Sequence, residues 1–236
     1  MSEPQSPVTT TIDDGVAVIR LDDGKANALG HDALDGLEAA LDAAEADARA
    51  AVLVGRDGKF SAGFDLSVMT SGPEQARDLL GRGAQLGLRV FEFPIPVVLG
   101  VTGHALAMGG ILLCCADVRI GAQGPFKLGL NEVRIGMPVP RFAVELCRNA
   151  LSKQAFNSAI QLAHVHSPDE ALAAGFLDEV TDPADVERRA IEVATELAEA
   201  LHPAPFRLTR RNCRGDLAAA LRQSLADDLA EFNVGN

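Results

Sequence analysis

Two β-rich runs, TTTI and VAVIRL, open the chain on either side of the tripeptide DDG. That arrangement predicts a β-hairpin. Beyond DDGKANALG, the residues Leu34, Leu37, Leu41 and Ala44 fall on one stripe, predicting a helix over 31–48. AVLVG (51–55) predicts a short strand buried on both faces, and the loop RDGKFSAGFDL follows it. A second helix is predicted over 73–92, with Pro73 suited to its first turn. PIPVVLGV ends in another buried strand, and VRIGA predicts a further short one. Between these two strands lies GHALAMGGILLCCAD, three glycines in eight residues and then a dense apolar run. From about residue 140 the pattern turns helical. SPDE at 167–170 reads as a helix start, with Ser167 as cap, Pro168 at the first position and Glu170 closing a capping box. Gly175 is placed to stop that helix, FLDEV returns to extended chain, and helices are predicted over 183–201 and 216–232. The chain thus divides into strand–helix alternation over about 1–140 and a helical region over about 141–236.

Composition narrows the function classes. At 47% apolar and 23% charged residues, the 236-residue chain reads as soluble and globular. Its apolar runs fall short of the roughly 18 residues that a membrane span needs. MSEPQSPVTT has no basic stretch followed by an apolar one, so no secretory signal is expected and the cytoplasm is the default compartment. Cys114, Cys115, Cys147 and Cys213 lack metal-type spacing and are expected to be buried, reduced thiols. A net charge of −12 argues against nucleic acid as a partner. An anionic ligand would need a local basic patch. Arg207, Arg210, Arg211 and Arg214 supply one at helical spacing, or else form a solvated face that offsets nearby acids.

Several chemistries lack their sequence parts. In GKFSAG, Lys59 stands where a serine-hydrolase elbow needs glycine. No dinucleotide fingerprint follows a strand, and the one P-loop-like spacing lacks its lysine. His164 and His166 are two apart, which on a helix would aim them to different sides, so no metal site is expected there. What remains is two turns of small residues, FSAGFD and ALAMGG. Small residues let a ligand approach backbone N–H groups, and two such groups on one carbonyl oxygen would make an oxyanion hole. Glu132 stands out in the apolar LNEVRIG. It is either a general base with a raised pKa or the partner of an arginine such as Arg134.

Taken together, DGKANAL, GKFSAGFDL, TGHALAMGGILLCCADVRI, GLNEVRIGMP and ALAAGFLDEV resemble, in order, the motifs of the crotonase superfamily, the enoyl-CoA hydratases and isomerases. The resemblance implies an α/β fold: a repeated ββα spiral core with a helical C-terminal trimerisation region. It implies coenzyme A thioesters as substrates, with CoA part of the substrate and no separate cofactor. The implied assembly is a homotrimer or a dimer of trimers. By position, Ala62 and Met108 would supply the oxyanion N–H groups, while Lys25 and Ala26 would lie along the CoA moiety. Gly63, Asp65 and Gly109 would border the bound thioester. Arg210 falls where relatives place a basic residue near the nucleotide phosphates. Met108 stands where many relatives have glycine, so its side chain is expected to reshape the acyl pocket.

Hydratases of this family use two glutamates. The second matches Glu132, but the position of the first is Ile111, whose alkyl side chain cannot hold water. A lone glutamate within GLNE resembles the Δ3,Δ2-enoyl-CoA isomerases. The resemblance therefore implies that Glu132 shifts a 3-enoyl-CoA double bond to the 2-position through an oxyanion-stabilised enolate. A hydratase of low or specialised activity and a non-catalytic acyl-CoA-binding protein are the alternatives.

Overall fold

The computed structural model describes residues 6–231. Phe232, the last residue of the expected C-terminal helix, and Met1–Gln5 of the N-terminal stretch lie outside them. The hairpin forms as expected. Strand β1 (Val8–Asp13) runs antiparallel to β2 (Val16–Leu21), in a register from Val8 opposite Leu21 to Asp13 opposite Val16. Asp14 and Gly15 both take positive φ, 46° and 78°, as a tight two-residue hairpin turn requires.

A pattern then repeats down the chain. A long strand is followed by one or two short strands and a helix. The first turn has β2, β3 (Ala28–Leu29) and α1 (His31–Asp47). The second has β4 (Ala50–Val54), β5 (Gly58–Ser61), β6 (Gly63–Phe64), a single-turn α2 (Leu66–Met69) and α3 (Pro73–Phe91). Next come β7 (Val97–Val101), β8 (Gly103–Leu106) and α4 (Met108–Leu113). The last turn has β9 (Val118–Ala122), β10 (Leu128–Gly129) and the 3-10 turn Glu132–Ile135. The long strands build a sheet in the order β1-β2-β4-β7-β9-β11, parallel apart from the β1–β2 pair, where β11 is Glu179–Thr181. The short strands build a three-stranded sheet, β10-β8-β5, and the pair β3-β6. This is the ββα spiral expected from the motifs.

The C-terminal third comprises α5 (Arg141–Ala150), α6 (Lys153–Ile160), α7 (Pro168–Ala174), then β11, α8 (Val186–Ala200) and α9 (Pro203–Glu231). The α7 capping box forms, and Gly175 ends the helix in the left-handed region at φ 99°. The sequence boundary near residue 140 does not separate two cores. β11 pairs with β9 at the sheet edge, and α8 lies across β2, β4, β7 and β9 on one face of the sheet. Ala190, Ala194 and Ala198 of α8 pack on Val16, Val18, Val52, Val54, Val98 and Ile120. The opposite face packs on α1 and α3 through Leu34, Leu37, Leu41, Leu79 and Leu86. Coverage on both sides explains why AVLV and VVLGV read as unbroken apolar runs.

Cys114, Cys115 and Cys147 are buried as expected, but Cys213 is exposed on α9. Two further expectations are corrected. α9 starts at Pro203, not near 216, and carries all four arginines of the basic stretch within one helix. They do not share one environment: Arg207 and Arg211 are exposed, while Arg210 and Arg214 turn inward. The second correction concerns His164 and His166. Their segment is extended, with His166 bridged to Leu128, so alternate side chains fall on one side. The two imidazoles therefore meet edge to face, with centroids 4.6 Å apart.

Candidate active site

Parallel pairing of β5 and β8 sets Ser61 opposite Ala105 and carries both chains into the two small-residue turns side by side. Gly63 allows their contact. A Cβ at Gly63 would stand 2.7 Å from the Ala107 Cβ and 3.2 Å from the Met108 nitrogen. Gly109 makes a similar approach, where a Cβ would meet the Ser61 carbonyl oxygen at 2.5 Å. Between the two turns Ala107 adopts φ 50° and ψ −123°, a conformation that L side chains rarely take. Such strain costs on the order of 1–3 kcal/mol and is concentrated at functional sites. It turns the chain sharply from β8 into α4. Met108 is the first residue of α4, so its N–H has no intrahelical carbonyl to bond.

Ala62 and Met108 thus come together as the motifs imply, with two differences. The Ala62 N–H donates to the Ala26 carbonyl at 3.1 Å, so an incoming oxyanion must share or take over that donor. The Met108 side chain does not shape the cavity. It is fully buried and reaches toward Gly87 of α3, where a Cβ would lie 3.5 Å from its terminal methyl carbon.

Beside these turns lies a cavity of about 340 Å³. Ala26, Ala28, Ala62, Phe64, Leu66, Met69, Leu80, Ala107, Ile111, Ile135, Met137, Pro138 and Pro140 line it, and its polar contributions come from Asn131 and Glu132. Glu132 is 7% exposed and forms no ion pair among the described residues. Its Oε2 is buried with no hydrogen-bond partner. Arg134, the alternative partner, is exposed. Burial pushes the Glu132 carboxyl up from its ordinary 4.5 to about 7, against a smaller opposing effect of nearby backbone N–H groups. Ile111 lines the same cavity and is buried, so an alkyl group occupies the place where a second carboxylate would stand.

The cavity opens toward a shallow groove, since Ala26 and Ala28 line both. Lys25, Gly30, His31, Asp65, Ser67 and Val68 are among the residues that border the groove. Lys25 is exposed there. Asp65 is held by its own helix: it caps α2, accepting from the Ser67 N–H at 2.8 Å and the Ser67 hydroxyl at 2.7 Å. The Ser67 hydroxyl and N–H together hold its carboxyl below the usual range.

Sequence reading overlooked Asn27. It is fully buried at φ 53° and acts as a clamp for the loop that ends in Ala26. Its Nδ2 donates to the carbonyls of Leu21 (2.7 Å), Lys59 (3.2 Å) and Phe60 (3.2 Å), and its own carbonyl accepts from the Ser61 hydroxyl at 2.8 Å. Asn tolerates the left-handed region, so an Asn flanked by small residues was the available signal. Asn27→Ala is expected to destabilise the fold by about 2 kcal/mol, because buried carbonyls lose their donor. Thermal unfolding should fall by roughly 4–8 °C. An unchanged midpoint would remove the clamp.

Arg210 is a correction. Its side chain is 5% exposed and binds Asp117, Nη2 to Oδ2, at 2.6 Å, so it does not face a ligand phosphate. Arg214 holds the other Asp117 oxygen at 3.0 Å, and the Val97 N–H donates to Oδ2 at 2.8 Å. The carboxylate pulls both guanidiniums inward and pins α9 to the start of β7. Arg210→Met is expected to cost about 2 kcal/mol, since Asp117 keeps its other partners. The loss should appear in denaturant midpoints whether or not acyl-CoA is present.

Residues 11–233 match the family model described as "Enoyl-CoA hydratase/isomerase". The chain belongs to the enoyl-CoA hydratase/isomerase family. Among solved structures, this family member is similar to an enoyl-CoA hydratase/isomerase family protein from Pseudomonas syringae. Identity is 38%, coverage is 96% of this chain and 98% of that one, and the TM-score is 0.93. It also resembles an enoyl-CoA hydratase from Mycobacterium marinum, at 41% identity, 96% and 100% coverage and a TM-score of 0.90. Among curated proteins, it is 31% identical to the mouse mitochondrial enoyl-CoA delta isomerase 1 over 187 residues, which are 77% of this chain and 65% of that protein. The match thus spans slightly less than two thirds of the mouse relative. Hydratases and isomerases both occur among these relatives, and the spiral is the crotonase fold. None of the described helices is long and apolar enough to cross a membrane.

Proposed function

We propose that this protein shifts a double bond of an enoyl-CoA thioester from the 3- to the 2-position. The observation that carries this reading is Glu132, a buried acid whose Oε2 has no hydrogen-bond partner, in an apolar cavity where Ile111 replaces a second carboxylate. As a carboxylate, Glu132 takes a proton from C2 of the acyl chain. The charge spreads onto the thioester oxygen, which accepts from the N–H groups of Ala62 and Met108. Glu132 then returns the proton at C4. A pKa near 7 suits both halves of that exchange, since the group must take and release a proton at similar cost. No cofactor beyond the substrate's own CoA is required. A homotrimer, alone or paired, and a cytoplasmic setting belong to the same proposal. Exposed Leu162, Leu172 and Leu208 on the C-terminal third are apolar surface that such an assembly would cover.

The test is incubation with 3-enoyl-CoA, following the conjugated 2-enoyl thioester by its absorbance, beside a direct binding measurement with saturated acyl-CoA. Conversion at substrate levels near half-saturation is expected. Tight binding with no conversion would make the protein a non-catalytic acyl-CoA binder and overturn the proposal.

A further inference from the structure

Phe64 is the large aromatic of the cavity wall, and its position depends on one glycine of α3. A Cβ at Gly83 would lie 2.3 Å from the Phe64 Cζ and 2.4 Å from its Cε1. The ring therefore sits in a notch that α3 leaves open only because residue 83 has no side chain. Gly87, one turn further along the same face, receives Met108, whose N–H belongs to the oxyanion turn. Leu80, about one turn in the other direction, lines the cavity and is buried, as is Met69 of α2. Along α3, then, Gly87 marks the reacting end, Gly83 seats Phe64, and Leu80 marks the remote end. The cavity opens elsewhere, toward the groove that shares Ala26 and Ala28 with it.

The geometry points to the Phe64–Gly83 pair as the gauge of acyl-chain length in this protein. The inference rests on the acyl-CoA reading above. Wall residues that move by one or two methylene lengths change discrimination sharply, because each methylene newly buried tightens binding about fourfold.

Phe64 touches the chain, whereas Gly83 is a positioning residue that acts through the ring. Removing the ring in Phe64→Ala opens the wall. Adding a methyl in Gly83→Ala pushes the ring out of its notch into the cavity. The pair is also coupled: once the ring is gone, a methyl at 83 has no neighbour nearer than 3.6 Å.

The experiment measures binding of saturated acyl-CoAs from four to sixteen carbons, which cannot isomerise, to wild type, Phe64→Ala, Phe64→Leu, Gly83→Ala and the double variant Phe64→Ala/Gly83→Ala. Wild type should bind one chain length best, with affinity falling for longer chains. Phe64→Ala should raise the ratio of sixteen- to eight-carbon affinity about fifteenfold, two methylenes' worth, and Phe64→Leu should fall between. Gly83→Ala should shift preference to shorter chains, and the double variant should return to the Phe64→Ala profile, a coupling that a double-mutant cycle reads directly. Should Gly83→Ala not fold, the Phe64 variants and the double variant decide. Profiles that stay parallel in every variant would overturn the gauge and leave the acyl-CoA reading standing. A wild type that binds no acyl-CoA of any length would overturn that reading and the gauge with it.

Discussion

Glu132→Gln lowers 3-enoyl-CoA isomerisation by about 10²–10⁴-fold, the usual contribution of a positioned acid–base group. The amide keeps the size of the side chain but cannot take a proton. Acyl-CoA affinity should change little, since the carboxyl is one small part of an apolar lining. In the wild type, kcat/KM should rise with pH through about 7, as the base form appears. The variant also makes a stability claim of opposite sign. The folded-state pKa of Glu132 lies above its ordinary 4.5, so the unfolded chain ionises first as pH rises. Burying the charge therefore destabilises the fold above about pH 7, by about 3 kcal/mol, and this penalty fades as pH falls toward 4.5. Glu132→Gln should consequently unfold at a higher temperature than wild type at pH 8, with the gap closing near pH 4.5. Full turnover in the variant would remove Glu132 from the chemistry, and a lower midpoint at pH 8 would contradict its isolation.

Wild-type protein should hydrate 2-enoyl-CoA at least about 10²-fold more slowly than it isomerises 3-enoyl-CoA, since one of two proton-transfer groups is missing. Ile111 is buried at the cavity wall, and its alkyl side chain neither binds nor polarises water. Both rates can be read on one enzyme sample by absorbance, the conjugated thioester being formed in one assay and consumed in the other. Hydration as fast as isomerisation would mean that another group handles water, with Asn131 the first to examine as the other polar residue of the lining. Ile111→Glu should raise hydration where the new acid ionises. Its failure would say little, because an acid placed in an apolar wall tends to stay protonated.

Local patterns in the sequence carried most of the fold. The two-residue hairpin turn, the Leu34–Leu37–Leu41 stripe and the Ser167–Glu170 capping box are written in neighbouring residues, and each stands where it was expected. The site motifs were legible for the same reason, since Gly63 and Gly109 mark close approaches that only small residues allow. Long-range partnerships were not. Nothing near Arg210 in sequence announces Asp117, 93 residues away, so an inward ion pair read as a basic patch. Asn27 bonds to carbonyls up to 33 residues distant, and a lone asparagine carries no sign of that. The extended path at His164–His166 is imposed by pairing with Leu128, which helix-period reasoning does not anticipate. The motif marks the turn that holds Met108, but where its side chain points depends on the vacancy at Gly87.

The cover that α8 lays over the sheet has a consequence for biosynthesis. Val16 and Val18 emerge from the ribosome roughly 170–180 residues before the alanines that shield them, Ala190, Ala194 and Ala198. At about 5–20 residues per second, that delay is roughly ten to thirty seconds. For all of that time a valine-rich β-surface has no partner in its own chain, and nascent copies on one messenger carry the same surface close together. The hazard thus lies in translation itself, before any stable monomer exists. Slower elongation or loss of a holding chaperone should lower the yield of this protein, while a finished molecule remains indifferent to either.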